Sequence, residues 1–430
     1  MPESTSQPET APTALPETPP GAMTSGTVPS APPAPPTQPV PSASPEASVP
    51  PLSHVPYVAK AAVVSAFCVF FVLGALTASL GASLPYLKQE FGPGHQVGRI
   101  VSFYNFGALT ATALIGLLGR RARPRPTITV LLAVFAAATA GMAVSPGWAW
   151  YLFAATVAGL GYGGLVLTLN TAFARGFGDN SVVMVNRLNA VFGIGAILGP
   201  LATGRTDIRL LSLAACLLAL PCVLVRRMGA VLEHPGLPRA DDAPSRLRRP
   251  SAVMVLFLVT GLLYAGLETS IGAWQSTQLQ RSGWSLQAAT MAASGFWAGM
   301  AVGRLVVPQL TKRLAARTSV PLYLVTALGA LLLAAVPHLA IAAYPLAGLC
   351  LAPVLPTVIA WTSGVADVPQ RATSVLTLCC MVGNTSVPAV VETLTDTRPS
   401  AAIPLTLAGF CALCLLFAVL ARRARQPRPA

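Results

Sequence analysis

Residues 262–279 read LLYAGLETSIGAWQSTQL, and they place one acid, Glu268, in the middle of an apolar segment. A charged side chain at the centre of a bilayer costs about 3 kcal/mol on insertion scales, so such residues face protein or water rather than lipid. In a helix, Tyr264, Glu268, Gly272 and Gln275 share one face. We therefore expect a transmembrane helix that lines a cavity, with Glu268 as the only acid deep inside a span.

The composition indicates that many apolar helices accompany this one. The chain has 430 residues, of which 53% are hydrophobic and only 10% charged, whereas a soluble domain has about 25% charged residues. The mean hydropathy is +0.64. The net charge is +14, but the bases lie in short loops between apolar runs, which is the topogenic pattern of membrane proteins. We expect a multi-pass protein in a lipid bilayer, without a nucleic-acid partner.

Twelve apolar runs follow Lys60, and each is long enough to cross a membrane. The runs lie near 61–84, 97–118, 127–145, 149–173, 183–203, 207–225, 252–276, 286–307, 319–336, 340–363, 372–393 and 401–421. They predict an all-α membrane protein whose twelve transmembrane helices form two pseudo-symmetric six-helix bundles.

The apolar runs also divide the chain into parts. The predicted parts are a disordered, cytoplasmic, Pro/Ala/Ser/Thr-rich tail at 1–59, an N-terminal six-helix bundle at 60–225, a cytoplasmic linker at 226–251, a C-terminal six-helix bundle at 252–421 and a basic cytoplasmic tail at 422–430.

The distribution of bases predicts the orientation of the chain. With both termini in the cytoplasm, the outer loops hold only Lys88, Arg205, Arg281 and Arg398, and the other loop bases lie inside. Cytoplasmic loops are enriched in Lys and Arg in membrane proteins. We therefore expect a multi-pass protein of the cell (inner or plasma) membrane with cytoplasmic termini.

The two predicted bundles also match each other in sequence. LTASLGA at 76–82 matches LETSIGA at 267–273, and this pairing sets Thr77 at the position of Glu268. The same offset, about 190 residues, relates three pairs of glycines, which are Gly107 and Gly299, Gly159 and Gly348, and Gly195 and Gly383. Two parallel six-span repeats are typical of transporters whose site lies where the repeats meet.

Three segments carry a family resemblance. They are RLNAVFGIGAILGPL at 187–201, YAGLETSIGAWQSTQL at 264–279 and SGFWAGMAVGRL at 294–305. With the pattern of six plus six spans and a basic linker, the chain resembles the major facilitator superfamily over about 60–421. These three segments resemble its fucose–proton symporter branch of sugar permeases. The resemblance implies secondary active transport of a small solute by alternating access, as symport or antiport with protons.

The resemblance also shows where this chain departs from that branch. The branch is expected to use acids in the first and fourth spans, where this chain has Thr77 and Asn170. A proton-coupling role therefore falls to Glu268. The competing interpretation is a carboxyl group that binds its neighbours or a substrate hydroxyl without changing its protonation. Arg304, near the cytoplasmic end of the eighth span, is either a gate residue or a base that reaches the membrane interface.

The predicted substrate-binding residues are polar and aromatic side chains expected to face the same cavity as Glu268. They are Thr77, Tyr104, Asn105, Tyr162, Asn170, Tyr264, Trp274, Gln275, Trp297 and Asn384. Aromatic faces suit a sugar ring or another planar compound, and amides and hydroxyls suit its polar groups. For each residue, packing between helices is the competing interpretation.

Other chemistries have little support in the sequence. The eight cysteines lie inside apolar runs and the four histidines in loops or the tail, so we expect no metal site and no cofactor. No catalytic pair is visible at one membrane face, so an enzyme is not expected. The expected partners are a small-molecule substrate, protons and the bilayer, and the chain is expected to be a monomer.

Two functions remain open at this point. One is transport of a sugar-like or other small polar solute, and the alternative is proton-driven efflux of a drug or secondary metabolite.

Overall fold

The computed structural model describes residues 60–92, 96–118, 123–233, 251–366 and 369–424, with the backbone alone described for 369–371. The predicted tail at 1–59 and most of the predicted linker at 226–251 lie outside the described residues. Within the described ranges the chain forms helices joined by short turns, without a strand.

Fifteen α-helices follow one another along the described chain. They are α1 (Lys60–Ala82), α2 (Leu84–Phe91), α3 (Arg99–Leu118), α4 (Pro124–Ala143), α5 (Trp148–Gly176), α6 (Ser181–Thr203), α7 (Ile208–Ala219), α8 (Gly229–Leu232), α9 (Ala252–Arg281), α10 (Leu286–Leu310), α11 (Ala316–Ala334), α12 (Ala340–Leu351), α13 (Val354–Ser363), α14 (Pro369–Thr395) and α15 (Ala402–Arg423). A 3-10 helix, Leu220–Met228, joins α7 to α8.

Twelve helical segments are long and apolar enough to cross a membrane, as the sequence predicted. The sixth segment, Ile208–Leu232, runs past the predicted end near 225, because the 3-10 turn and α8 continue it. The tenth segment is broken between α12 and α13 at Pro353, since proline supplies no N–H and clashes with the preceding turn. The short helix α2 lies in a loop where no helix was predicted.

The internal repeat appears as equivalent close contacts between helices. Gly107 lies against the backbone oxygen of Thr156, and its repeat partner Gly299 lies against the backbone oxygen of Pro345. The other two predicted pairs also lie against backbone oxygens. Gly159 contacts Tyr104 and its repeat partner Gly348 contacts Phe296, while Gly195 contacts Phe71 and its repeat partner Gly383 contacts Leu262. A Cβ at any of these positions would overlap a carbonyl group, so glycine permits the close approach. The predicted repeat is therefore confirmed.

The two halves, 60–233 and 251–424, meet through the pairs α1–α9, α3–α14 and α6–α10. Their hydrogen bonds include Ser294 Oγ donating to the Ile197 oxygen at 2.6 Å and Gly98 N–H donating to Glu392 Oε1 at 2.8 Å. These contacts lie towards the end of the bundle that carries Ala82 and Thr395, which we call the outer end after the predicted orientation. The halves are closed together at this end.

Candidate functional site

Glu268 lies midway along α9 and is only partly shielded. Its side chain is 19% exposed, and its Oε1 lies 3.9 Å from Nη2 of Arg304 in α10. This separation is longer than a hydrogen bond, so the two groups form a loose ion pair. The Arg304 side chain is 49% exposed. The structure thus gives Glu268 a basic neighbour that the sequence analysis had assigned to a gate or to the interface.

Three predicted residues of the N-terminal half come together and form what we call the hydroxyl cluster: Thr77 of α1, Tyr104 of α3 and Tyr162 of α5. The Thr77 Oγ1 and the Tyr104 hydroxyl share a hydrogen bond of 3.0 Å. The rings of Tyr104 and Tyr162 lie 5.2 Å apart between centroids, in a tilted arrangement. The cluster combines hydroxyl groups with aromatic faces and contains no charge.

The hydroxyl cluster and Glu268 approach each other across the line where the halves meet. Tyr162 lies within electrostatic range of Glu268, although the two residues belong to different halves. Tyr264, one helical turn before Glu268, donates its hydroxyl proton to the Leu351 oxygen at 3.0 Å. That carbonyl belongs to the last turn of α12, where an intrahelical partner is lacking. Tyr264 therefore supports the break in the tenth span as well as flanking Glu268.

The predicted amides bind neighbouring protein groups. Asn170 of α5 accepts a 3.0 Å hydrogen bond from Nδ2 of Asn189 in α6. Asn384 of α14 accepts a 2.8 Å hydrogen bond from Thr269 of α9. Asn105 donates to the Val101 oxygen, one turn earlier in α3, at 2.8 Å. Each amide is partly exposed, so a ligand would compete with these partners. The sequence analysis missed Asn189, whose signal was an amide in an apolar run.

Three other predicted residues make packing contacts. Gln275 is fully buried and donates through Nε2 to the Ala293 oxygen of α10 at 3.2 Å. Trp274 is buried at the outer end against Gly98, and Trp297 lies against Gly272. The expectation that the whole face from Tyr264 to Gln275 lines a cavity was therefore wrong. On this face Glu268 is partly exposed, whereas Tyr264, Gly272 and Gln275 are buried because neighbouring helices cover them.

A second acid is also buried, although it lies near the outer end of its span rather than deep inside it. Glu392 of α14 is 4% exposed and accepts the Gly98 N–H from the other half. The sequence analysis missed it because it lies near the end of its predicted span, where an acid usually reaches water.

Glu392 borders a cavity of about 240 Å³ at the outer end. The lining residues are Leu84, Pro85, Lys88, Val97, Trp274, Thr277, Gln280, Arg281, Glu392 and Asp396. Both halves contribute to this wall. Among the described residues, no group of three His, Cys, Asp or Glu side chains is arranged to hold a metal ion.

Comparisons with known proteins agree with the architecture. The glucose/mannose transporter GlcP of Bacillus subtilis (strain 168) is 23% identical over 264 residues, which cover 58% of this chain and 65% of that relative. The match thus spans slightly less than two thirds of the relative's length. It is consistent with the resemblance to sugar permeases.

Two solved structures share the fold. The nucleoside transporter NupG superposes with a TM-score of 0.67 at 14% identity, covering 85% of this chain and 99% of that one. A bacterial homolog of the human lysosomal transporter Spinster, in an inward-facing and unoccupied conformation, gives a TM-score of 0.66 at 13% identity, covering 84% and 96%.

The family model described as Major Facilitator Superfamily matches residues 66–388, which is more than half of the chain. The twelve apolar helices and the internal repeat are the architecture expected of that family, whose members are membrane transporters rather than enzymes. This chain belongs to the major facilitator superfamily.

Proposed function

We propose that this chain is a secondary active transporter that moves a sugar-like, polyhydroxylated solute across the membrane by alternating access and couples this movement to protons through Glu268. One observation carries the proposal. Glu268 and its loose partner Arg304 lie in one repeat, and Tyr162 of the hydroxyl cluster, in the other repeat, lies within electrostatic range of Glu268. A site shared by two repeats changes its surroundings when the repeats rock against each other.

The hydroxyl cluster supports a polyhydroxylated substrate. Thr77 and Tyr162 are partly exposed and carry hydroxyl groups that both donate and accept, and the Tyr162 ring adds an apolar face. Tyr104 is buried beneath them, where it holds Thr77 by a hydrogen bond and packs on Tyr162. A sugar ring has the complementary chemistry, with hydroxyls at its edge and C–H groups on its face. The relative named as a glucose/mannose transporter and the structure named as a nucleoside transporter both point to sugar-containing solutes.

The loose ion pair supports coupling. A coupling acid must bind its proton with different affinity in the two states, since a ligand shifts an equilibrium only by its differential affinity. Glu268 is neither sealed in a close salt bridge nor fully hydrated, and Tyr162 of the other repeat lies within its electrostatic range, so rocking of the repeats alters the stabilisation of its charge.

Transport in proteoliposomes tests the proposal. With an imposed pH gradient, the wild type should accumulate a labelled hexose or nucleoside. Glu268→Gln should lose accumulation and keep exchange of labelled for unlabelled solute, because exchange requires no net proton movement. Glu90→Gln is the matched control, since Glu90 pairs with Arg209 within one half and lies outside this site. Accumulation by Glu268→Gln at the wild-type level would refute the coupling role. Gradient-driven extrusion of apolar drugs without hexose or nucleoside transport would refute the substrate class.

A further inference from the structure

Glu392 closes the outer end of the protein from a buried position. Its Oε1 accepts a 2.8 Å hydrogen bond from the N–H of Gly98, the residue that precedes α3. A Cβ at Gly98 would lie 2.9 Å from the Glu392 carboxyl carbon and would overlap the Trp274 ring. The two halves are therefore in close contact here, and they bury the Glu392 carboxyl group between them.

The charged groups near Glu392 come from several surrounding segments. They are Lys88 of α2, Arg99 of α3, Arg281 of α9 and Asp396 directly after α14. Lys88 forms a 3.2 Å ion pair with Asp396, and both groups are about one third or more exposed. Arg281 donates to the Thr395 oxygen at 2.8 Å and to the Asp396 oxygen at 3.2 Å. Lys88 and Arg281 are thus engaged by Asp396 and by the end of α14.

The outer cavity gives Glu392 a route to water. A cavity of about 240 Å³ has room for several water molecules, since one occupies about 30 Å³ in the liquid. Two of the lining residues, Trp274 and Thr277, each have a buried polar atom, Nε1 and Oγ1 respectively, that has no hydrogen-bond partner in the described structure. Polar atoms of this kind are usually satisfied by water. A proton from the outer side can reach Glu392 along this path.

Closing the halves over a charged carboxylate is harder than closing them over a neutral carboxylic acid, because the charged form loses more hydration energy on burial. One backbone N–H compensates for only part of that loss, and the nearby cations are either solvent-exposed, as Arg99 is, or engaged by Asp396 and the end of α14, as Lys88 and Arg281 are. The neutral acid keeps the same hydrogen bond, since its carbonyl oxygen still accepts from Gly98. The closed geometry therefore selects the protonated form of Glu392.

We propose that Glu392 is a proton-binding site of the outer gate, distinct from Glu268. The gate closes over the protonated acid, and when it opens the carboxyl O–H bond breaks and the proton passes to outer water. Because a proton binds to the closed state in preference to the open state, the closed fraction rises as the outer pH falls. This inference rests on the proposed alternating access, but it requires no knowledge of the substrate.

Distance measurement by electron paramagnetic resonance tests the gate directly. Spin labels at Gln96→Cys and Thr397→Cys, both exposed at the outer end on opposite halves, report opening in nanodiscs after the exposed Cys68 is replaced by Ser. From pH 8 to pH 5, the closed-to-open ratio of the wild type should rise by up to about tenfold per pH unit, the limit for one proton. Glu392→Gln should be mainly closed at both pH values and should show no titration.

Two variants separate this inference from its alternatives. Glu90→Gln removes an acid at the outer end of one half and should titrate like the wild type. Glu268→Gln should also keep the gate titration even though it loses proton-driven accumulation. The inference fails if Glu392→Gln titrates like the wild type, if the wild type does not titrate, or if Glu268→Gln abolishes the titration. If only the transport experiment gives the refuting result, the proposed function is wrong, and the result for the gate still stands.

Discussion

Gly81→Ala should open the outer end without unfolding either half. Gly81 of α1 lies against α9, where a Cβ would be 2.7 Å from the Ala273 Cα and 2.8 Å from the Gly272 oxygen. Gly81 and Gly272 are repeat partners, so this contact lies where the two repeats meet. Overpacking of a close contact costs about 1–3 kcal/mol. In the proposed alternating access the halves separate here in an outward-open state, so the cost falls on the closed state alone.

The expected size of the effect follows from that cost. A penalty of about 1–3 kcal/mol lowers the closed-to-open ratio by about 5- to 150-fold. The spin-label pair at Gln96 and Thr397 measures this ratio at fixed pH, and thermal unfolding in detergent measures stability in parallel. Gly81→Ala should lengthen the distance between the labels and change the unfolding midpoint little, because opening relieves the overlap.

Two glycines provide matched controls for Gly81→Ala. Gly195 packs on the Phe71 carbonyl within the N-terminal half, so Gly195→Ala should lower the unfolding midpoint and leave the gate closed. Gly329 of α11 has no atom within 4 Å of an added Cβ, so Gly329→Ala should change neither measurement by much. If Gly81→Ala behaves like Gly195→Ala, with lost stability and an unchanged gate, the idea that this contact belongs only to the closed state is wrong.

Two further predictions concern the N-terminal half. Tyr104→Phe removes the hydroxyl bound to Thr77, and it should raise the KM for the hexose or nucleoside by up to about tenfold. The control is Tyr151→Phe, at a tyrosine that is buried away from the site, and it should leave KM unchanged. Equal effects of the two variants on KM would refute the role of the hydroxyl cluster. Asn189→Ala removes the hydrogen bond to Asn170 and should lower stability by about 0.5–1.5 kcal/mol in thermal unfolding. Adding Asn170→Ala should cost little more, because one bond joins the pair, and an additive loss would contradict this account.

The sequence could predict the twelve spans because each required length and continuous apolarity, and both are readable along the chain. It could not predict the break at Pro353, since proline is also tolerated inside transmembrane helices when neighbours satisfy the freed groups. Here Tyr264, from another helix, satisfies the freed Leu351 carbonyl by donating a hydrogen bond to it. This contact joins residues that are distant in sequence, so the helical periodicity of the sequence cannot predict it.

The candidate site was predicted in part. The repeat identified Thr77 and Glu268 as equivalent positions, and the structure brings each close to polar groups. Helical periodicity also placed Gln275 on the face of Glu268, but periodicity cannot show where a neighbouring helix covers that face. Glu392 was missed for a related reason: its burial depends on Gly98 of the other half, not on its own helix.

The two acids lie at different depths, and this separation matters for a coupled carrier. Trp274 is six residues beyond Glu268 in α9, so it lies about 9 Å farther towards the outer end. Its ring fills the space beside Gly98, and the contact between Gly81 and Gly272 lies on the same stretch of α9. In the closed state these contacts lie between the outer cavity that borders Glu392 and the region of Glu268. A proton bound at the outer gate therefore meets packed protein before it reaches Glu268. Under the two proposals, this packed layer keeps the proton sites of the two acids apart in this conformation, which is the condition for coupling without a leak.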